Sequence, residues 1–346
     1  MFAGGTYGRI DPGIDSAISG HCYSANEASL SEAIRVGNII GANDGNLATT
    51  PMGLSQTLMD FVTGVTDPED LDSVLERIAP SAPTGSIMFK YLQEDETAQF
   101  QQRSLQQIAR PTGGEFPVAA TVVGTEANGS TQNLGLVSYL DINQGGLEPI
   151  IQQNEVNRLR GIIRRSQIAD ALAKLLAAAN DGGSINWGAS TSDPDSDVDT
   201  LVDAAGNARG VDANTYVFGQ GARLKRRKAY RQPARLNGAT LAALTDAELA
   251  EQYGGGRFVN LTERYRSSNQ ALTRQLDSEV LVYWSKSGLS LKDSSNIKRF
   301  TYVAAGGGIR VWVEVGTHRV KITVDVQEVT QITNTVGIQK LAVIYS

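Results

Sequence analysis

LEPIIQQNEVNRLRGIIRRSQIADALAKLLAAAN, residues Leu147 to Asn180, is the stretch on which the fold turns. It holds no proline after Pro149 and gives the longest helix available to the chain. Its apolar positions do not keep one face. Ile151, Leu159, Ile162 and Ile163 point one way, while Ile168, Leu172, Leu175 and Ala179 point roughly opposite at about 100° per residue. A helix whose buried face rotates is packed by different neighbours at its two ends, and Gly161 allows a kink between them. Arg158, Arg160, Arg164 and Arg165 crowd its middle. They suit acidic neighbours, nucleic acid or a solvated face.

The chain before this helix is mostly arm, loop and hairpin. Residues 1 to 65 are rich in Gly, Ser and Asn, with short helical patches expected at Ser29–Ile40 and Gly53–Val62. Apolar residues recur throughout, so the segment is expected to be an arm ordered by partners. Asp67 to Ile78 reads as a helix: Asp67 caps it, Pro68 takes the first helical position, and Leu71, Val74, Leu75 and Ile78 form one stripe. Pro80 and Pro83 end it. From Ile87 to Ile142 the pattern is extended. Phe116, Val118, Ala120 and Val122 alternate, Asn128-Gly129 is a turn signal, and Leu136, Ser138, Leu140 and Ile142 form a return strand. With the polar piece Gln93–Gln107, this predicts a long protruding hairpin.

After the helix, Asp181-Gly-Gly-Ser reads as a break. Asp193-Pro194 starts a helix carrying Val198, Leu201, Val202 and Ala205, with Gly206 and Gly210 as candidate stops. Thr215–Phe218 is a short strand followed by a basic helix. Thr245 and Glu248 form a capping box, and Gly254 to Gly256 stop the helix that follows. Arg257–Leu261 and Glu279–Trp284 are strands. At the C-terminus Ile309, Val311, Val313 and Val315 alternate with polar residues, as do Val320, Ile322, Val324 and Val326. Gly316-Thr317 suits a tight turn with glycine first, and Ile338–Ile344 adds another strand.

The bulk numbers narrow the function classes. Net charge is −6, from 31 Lys+Arg against 37 Asp+Glu, which argues against a dedicated nucleic-acid binder. The single cysteine, Cys22, excludes an internal disulfide and a four-cysteine zinc site. No apolar run reaches the roughly 18 residues of a membrane span, and the N-terminus lacks a secretory pattern. The expected setting is cytoplasmic, with no membrane.

Chemistry is sparse. There is no GxxxxGK[ST] and no GxSxG. FGQGARL lacks the third glycine of a dinucleotide fingerprint, since Leu224 stands there. The two histidines, His21 and His318, give a Ser-His-Asp triad little to work with. Asp193, Asp195, Asp197 and Asp199 alternate, but they lack the glycine and terminal Glu of a calcium loop and read as the acidic start of a helix. Arg223, Lys225, Arg226, Arg227, Lys228, Arg231 and Arg235 form the densest charge run. Three uses stand open for it: phosphate binding, pairing with the acidic 193–199 segment of another subunit, or a solvated face. No catalytic set, cofactor site or metal site emerges, so an enzyme is not expected.

The order of pieces resembles the major capsid proteins of tailed bacteriophages, with the Hong Kong 97-type fold. The resemblance rests on Arg110-Pro-Thr-Gly-Gly-Glu-Phe, the Arg-rich helix, Trp187, Ser192-Asp-Pro-Asp-Ser-Asp-Val, Asn214-Thr-Tyr-Val-Phe-Gly with its helix, Leu244–Tyr253, Arg257–Leu261, Val280–Trp284 and the terminal hairpin. It covers roughly residues 70 to 346. It implies an α+β capsid fold with an N-terminal arm at 1–65 and an extended β-hairpin loop at 88–142. A peripheral domain would comprise 66–87, 143–185 and 299–346, with the spine helix at 147–180, and an axial α/β domain would be 186–298. It further implies self-assembly into pentamers and hexamers of an icosahedral shell around double-stranded DNA, contacted without sequence specificity. A portal, a separate scaffold protein and a decoration protein are the other implied partners. No N-terminal removal is expected. The candidate assembly contacts are Arg110, Arg164, Arg165, Asp193, Asp195, Arg226 and Arg227. A nanocompartment shell of the same fold and an α/β enzyme are the alternatives.

Overall fold

The computed structural model describes residues 53–64, 70–93, 125–232, 238–266, 271–288, 295–303 and 308–346. The arm up to residue 52, the Asp67-Pro68 helix start, the Phe116–Val122 strand and Arg110 lie outside them. The helices are α1 (Gln56–Gly64), α2 (Leu71–Ile78), α3 (Pro149–Ala178), α4 (Pro194–Arg209), α5 (Gln220–Tyr230), α6 (Gly238–Ala242) and α7 (Asp246–Gln252). The strands begin with β1 (Gly53–Leu54), β2 (Ser81–Thr84), β3 (Met88–Gln93), β4 (Thr125–Ser130), β5 (Gln132–Asp141), β6 (Asn180–Asn186), β7 (Thr215–Gly219) and β8 (Arg257–Leu261). They continue with β9 (Arg264–Arg266), β10 (Leu272–Arg274), β11 (Glu279–Tyr283), β12 (Ile297–Tyr302), β13 (Ile309–Val315), β14 (Arg319–Ile332) and β15 (Gln339–Ile344). The α+β class expected from the sequence is present.

Contacts divide the chain into two compact units. Among the described residues, one comprises those of 53–64, 136–159 and 310–324; the other comprises those of 70–135, 160–309 and 325–346. In the first, β14 is flanked by β13 and β5, and β1 pairs antiparallel with β13. Val320, Ile322 and Val324 are fully buried, as their alternation predicts. On β5, Leu136, Ser138 and Leu140 are half-buried while Val137 and Tyr139 are exposed. The β13–β14 turn is one residue off the expected place. Gly316 N–H donates to the Arg319 carbonyl at 2.9 Å, so Thr317 and His318 form the tip, and Gly316 is not among the positive-φ glycines.

The second unit is built on a mixed sheet in the order β6-β15-β11-β7-β8. β6 runs parallel to β15 and β8 parallel to β7, while β11 is antiparallel to both β15 and β7. Residues of β7, β8 and β11 enter two cores, one on each side of the sheet. Tyr216, Phe218, Phe258, Val280 and Val282 join a core with Trp187, Val198 and Leu249. Val217, Val259, Leu261, Leu281 and Tyr283 join the other, with Leu71 and Leu75 of α2 and Ile168, Leu172 and Leu175 of α3. Each fully buried Leu contributes about 1.5–3 kcal/mol relative to exposure. β15 places Leu341 and Val343 in the first core.

The drift along α3 is partly as expected. Leu172 and Leu175 sit in the α2 core, whereas Leu159 and Ile163 are buried outside both cores. Ile162 is 37% exposed and does not belong to the buried stripe. Two other expectations are corrected, and one choice between two candidates is settled. Asp181 to Ser184 is not a break but part of β6, with Asp181 paired to Lys340 and Ser184 to Ala342. Its partner strand lies over a hundred residues away, beyond the reach of local pattern. Of the two candidate stops, α4 uses Gly210, in the left-handed region at φ 84°, and runs through Gly206. Asn128-Gly129 is not a turn. It lies inside β4, where Asn128 pairs with Lys90 and Gly129 with Phe89. The glycine is there for space: a Cβ at Gly129 would stand 2.5 Å from the Phe89 ring. Phe89 in turn packs on Phe300 at 4.4 Å between centroids, with Tyr91 5.4 Å from Phe300.

Helix α2 opens at Leu71, preceded by Asp70 in the left-handed region (φ 51°) with no side-chain cap bond. Its stripe is as read: Leu71, Leu75 and Ile78 are buried. The α4 and α7 starts also form as expected. Asp193 accepts from Asp195 N–H with Pro194 at the first turn, and the Thr245–Glu248 capping box is complete.

Candidate assembly site

The acidic 193–199 segment and the basic run meet inside one chain. Asp195, at the first turn of α4, receives four side-chain hydrogen bonds. Arg226 Nε reaches Oδ1 at 2.6 Å and Arg226 Nη2 reaches Oδ2 at 2.8 Å. Gln252 Nε2 and the Tyr253 hydroxyl each donate at 2.8 Å. The Arg226 side chain is 1% exposed and that of Asp195 8%. Its remaining Nη1 donates to the Leu241 carbonyl at 3.0 Å, and its guanidinium lies over the Tyr230 ring. Such two-point geometry repays part of the cost of burying two charges.

The electrostatics follow from this packing. Burial pushes the Asp195 carboxyl up, but the Arg226 guanidinium with Tyr253 and Gln252 outweighs it, leaving the group below its ordinary value. Burial and then the Asp195 charge raise the Tyr253 and Tyr230 hydroxyls. Tyr230 donates to Asp193 Oδ1 at 2.8 Å, and Trp187 Nε1 donates to Asp197 Oδ2 at 2.9 Å.

A cavity of about 470 Å³ lies beside this node, lined by Asp193, Asp195, Ser196, Asp199, Tyr230 and Gln252 among others. Asp199 and Asp203 are exposed on α4, one turn apart, with no cationic partner among the described residues. Loss of surrounding water and then the charges of Asp195, Asp203 and Asp193 raise the Asp199 carboxyl.

Other cations of the basic run are also held within the chain. Lys225 Nζ donates to the Val343 carbonyl at 2.6 Å and to Ser278 at 2.7 Å, and Arg223 pairs with Asp246. Arg227 is half-buried and without a partner among the described residues. The sequence reading sought the partner of this run in another subunit, in phosphate or in solvent. For Arg226 the partner is Asp195, 31 residues upstream.

Arg164 of the long helix belongs to a second buried network. Glu328 of β14 accepts from Arg164 Nη1 at 3.1 Å, Gln167 Nε2 at 2.9 Å, Arg299 Nη1 at 3.1 Å and Thr301 Oγ1 at 3.3 Å. Arg164 and Arg160 also hold Asp72 of α2, while Arg299 holds Glu76 at 2.8 Å. Burial raises the Asp72 carboxyl and the two arginines overcome that, so it sits below its ordinary value. Arg165 serves another part: its carbonyl accepts from Gln275 Nε2 at 2.9 Å, and its Nε is 4.0 Å from Glu263. These two residues flank the β9–β10 ribbon.

Sequence reasoning missed Glu328 and the ribbon. A signal for Glu328 was available. It continues the buried parity of Val320, Ile322, Val324 and Val326, and a carboxylate at such a position demands a buried cation. No comparable signal marks a three-residue strand.

No protein-family model matches the sequence, and no curated protein sequence matches it. Solved structures do. A phage-related protein from Bordetella bronchiseptica RB50 superposes with a TM-score of 0.60 at 13% identity, covering 85% of this chain and 98% of that one. The two chains share one fold. Lower scores relate the chain to the capsid of cyanophage P-SCSP1u (TM-score 0.45, 8% identity, 88% of this chain and 91% of that one). The encapsulin complex from Synechococcus elongatus PCC 7942 gives a similar score (0.45, 12% identity, 88% and 94%).

Proposed function

We propose that this chain is a major capsid protein of the Hong Kong 97 type that self-assembles into the icosahedral shell around a phage genome. The observation that carries this reading is the fold shared with the phage-related protein over 98% of that chain. The motif order quoted above, from the Arg-rich helix through Trp187 to the terminal hairpin, supports it independently.

Surface chemistry also supports the reading. Met88 is 78% exposed and Ile150 64%, and Ile87, Val137 and Tyr139 are exposed too. Apolar side chains left in water on strands and a helix start suit burial between copies. Closed symmetry then limits growth to a shell. In this reading the chain is structural rather than catalytic. It works in the virion capsid after assembly in the host cytoplasm, with a portal, a separate scaffold and a decoration protein as partners. The packaged double-stranded DNA is contained without sequence-specific contact.

Electron microscopy of the purified full chain tests this reading, with closed shells expected. Extracting the contents of particles formed in cells separates a genome shell, holding DNA, from a nanocompartment, holding protein cargo.

A further inference from the structure

Strands β9 and β10 form a sheet of their own, with neither outer edge paired to another described strand. Their register places Arg264 opposite Arg274, Tyr265 opposite Thr273, and Arg266 opposite Leu272. Directly opposed residues of an antiparallel pair share a face, and so do residues two apart. One face therefore carries Arg264, Arg266, Arg274 and Leu272. Only Arg274 has a charged partner among the described residues, Asp277. Arg264 and Arg266 are exposed and unpartnered among those residues, and Leu272 is 61% exposed.

A two-stranded ribbon is marginal alone, and like charges directly opposed weaken it further. This one is held at its base. Gln275 N–H donates to the Glu263 carbonyl at 3.1 Å, and Gln275 is bonded to the Arg165 carbonyl of the long helix. The molecule thus holds in place a cationic surface on which Arg264 and Arg266 have no carboxylate partner among the described residues. It also carries the opposite surface. Asp199 and Asp203 lie on the exposed side of α4, with the N-cap Asp193 at its start, and like charges one turn apart on a helix repel. The cavity beside Asp193 and Asp199 is roomy enough for a guanidinium, and its Asp and Ser side chains offer acceptors.

We infer that the arginine face of the β9–β10 ribbon of one copy docks on Asp199 and Asp203 of α4, beside the Asp193 cavity, in a second copy. The two patches differ, so the contact is head-to-tail, and repetition with closure gives a ring. The inference rests on the shell reading and names one contact within it.

The test is a charge swap on the full chain, with particle formation followed by light scattering and microscopy. The double variant Arg264→Glu/Arg266→Glu and the double variant Asp199→Arg/Asp203→Arg are each expected to raise the concentration for assembly at least tenfold. Combined in one chain, the four substitutions are expected to restore assembly, because both sides of every contact then carry exchanged, complementary charges in rings of odd or even number. Circular dichroism confirms that each is folded, and the substituted side chains are all exposed. Assembly of both variants at the wild-type concentration would overturn the inference and leave the shell reading standing. Failure of the folded fourfold variant to assemble would overturn it likewise. Loss of salt-sensitive DNA binding in the ribbon variant, with assembly unchanged, would instead assign the ribbon to nucleic acid. Absence of particles from the wild-type chain would overturn both readings.

Discussion

Arg226 and Asp195 are joined at two points in the interior, Nε to Oδ1 at 2.6 Å and Nη2 to Oδ2 at 2.8 Å. The pair ties α5 to the start of α4, and through Gln252 and Tyr253 it also holds the end of α7. Arg226→Met leaves a buried carboxylate without its cation. It is expected to cost about 3–5 kcal/mol in denaturant unfolding, whereas Arg226→Met with Asp195→Leu costs less than the single change. A single change within 1 kcal/mol of wild type would contradict this role.

Glu328 holds both Arg164 and Arg299, and its side chain is 3% exposed. Glu328→Gln keeps the shape and removes the charge, leaving two buried guanidinium groups under-paired. A loss of about 3 kcal/mol is expected on unfolding, larger than for Lys90→Gln at the exposed Lys90–Glu126 pair. Equal effects at the two sites would contradict the network's role.

The pH dependence follows from Asp72 and Asp195, both held below the ordinary value of 3.8. A depressed carboxyl stabilises the fold above its unfolded value, and that contribution is lost as pH falls through the folded value. Stability from these groups is therefore constant through neutral pH and declines only in acid, below 3.8. Thermal melts of Asp72→Asn across that range are expected to show a shallower acid decline than wild type. An unchanged slope would remove Asp72 from the account.

Gly129 gives the Phe89 ring its seat. Gly129→Val places a side chain where the ring lies, with a Cβ only 2.5 Å from it, and overpacking of this kind costs about 1–3 kcal/mol. Hydrogen exchange is expected to quicken across β3 and β4 in the variant and to stay unchanged in β7 and β11. Phe89→Leu in the same chain is expected to restore part of the protection.

Which features were legible depended on the range of the interactions behind them. Helix α3, the Asp193-Pro194 start, the Thr245–Glu248 box and the β14 alternation all come from neighbours along the chain, and they stand where the sequence places them. Gly129 was misread because its reason is Phe89, paired across the ribbon from 40 positions away. The strand at Asp181–Ser184 needs Lys340 and Ala342 beside it to form a ladder. For the candidate site, the charges were visible and their partners were not. Arg226 and Asp195 were both identified as contacts, yet only the fold shows that each satisfies the other. Three short facts about the β9–β10 ribbon, its register, exposure and isolation, are likewise tertiary.

The most direct test of the central claim is negative-stain microscopy of the purified full-length chain. The account predicts closed shells of uniform diameter. A sample holding only monomers or small oligomers under conditions where the chain is folded would contradict it.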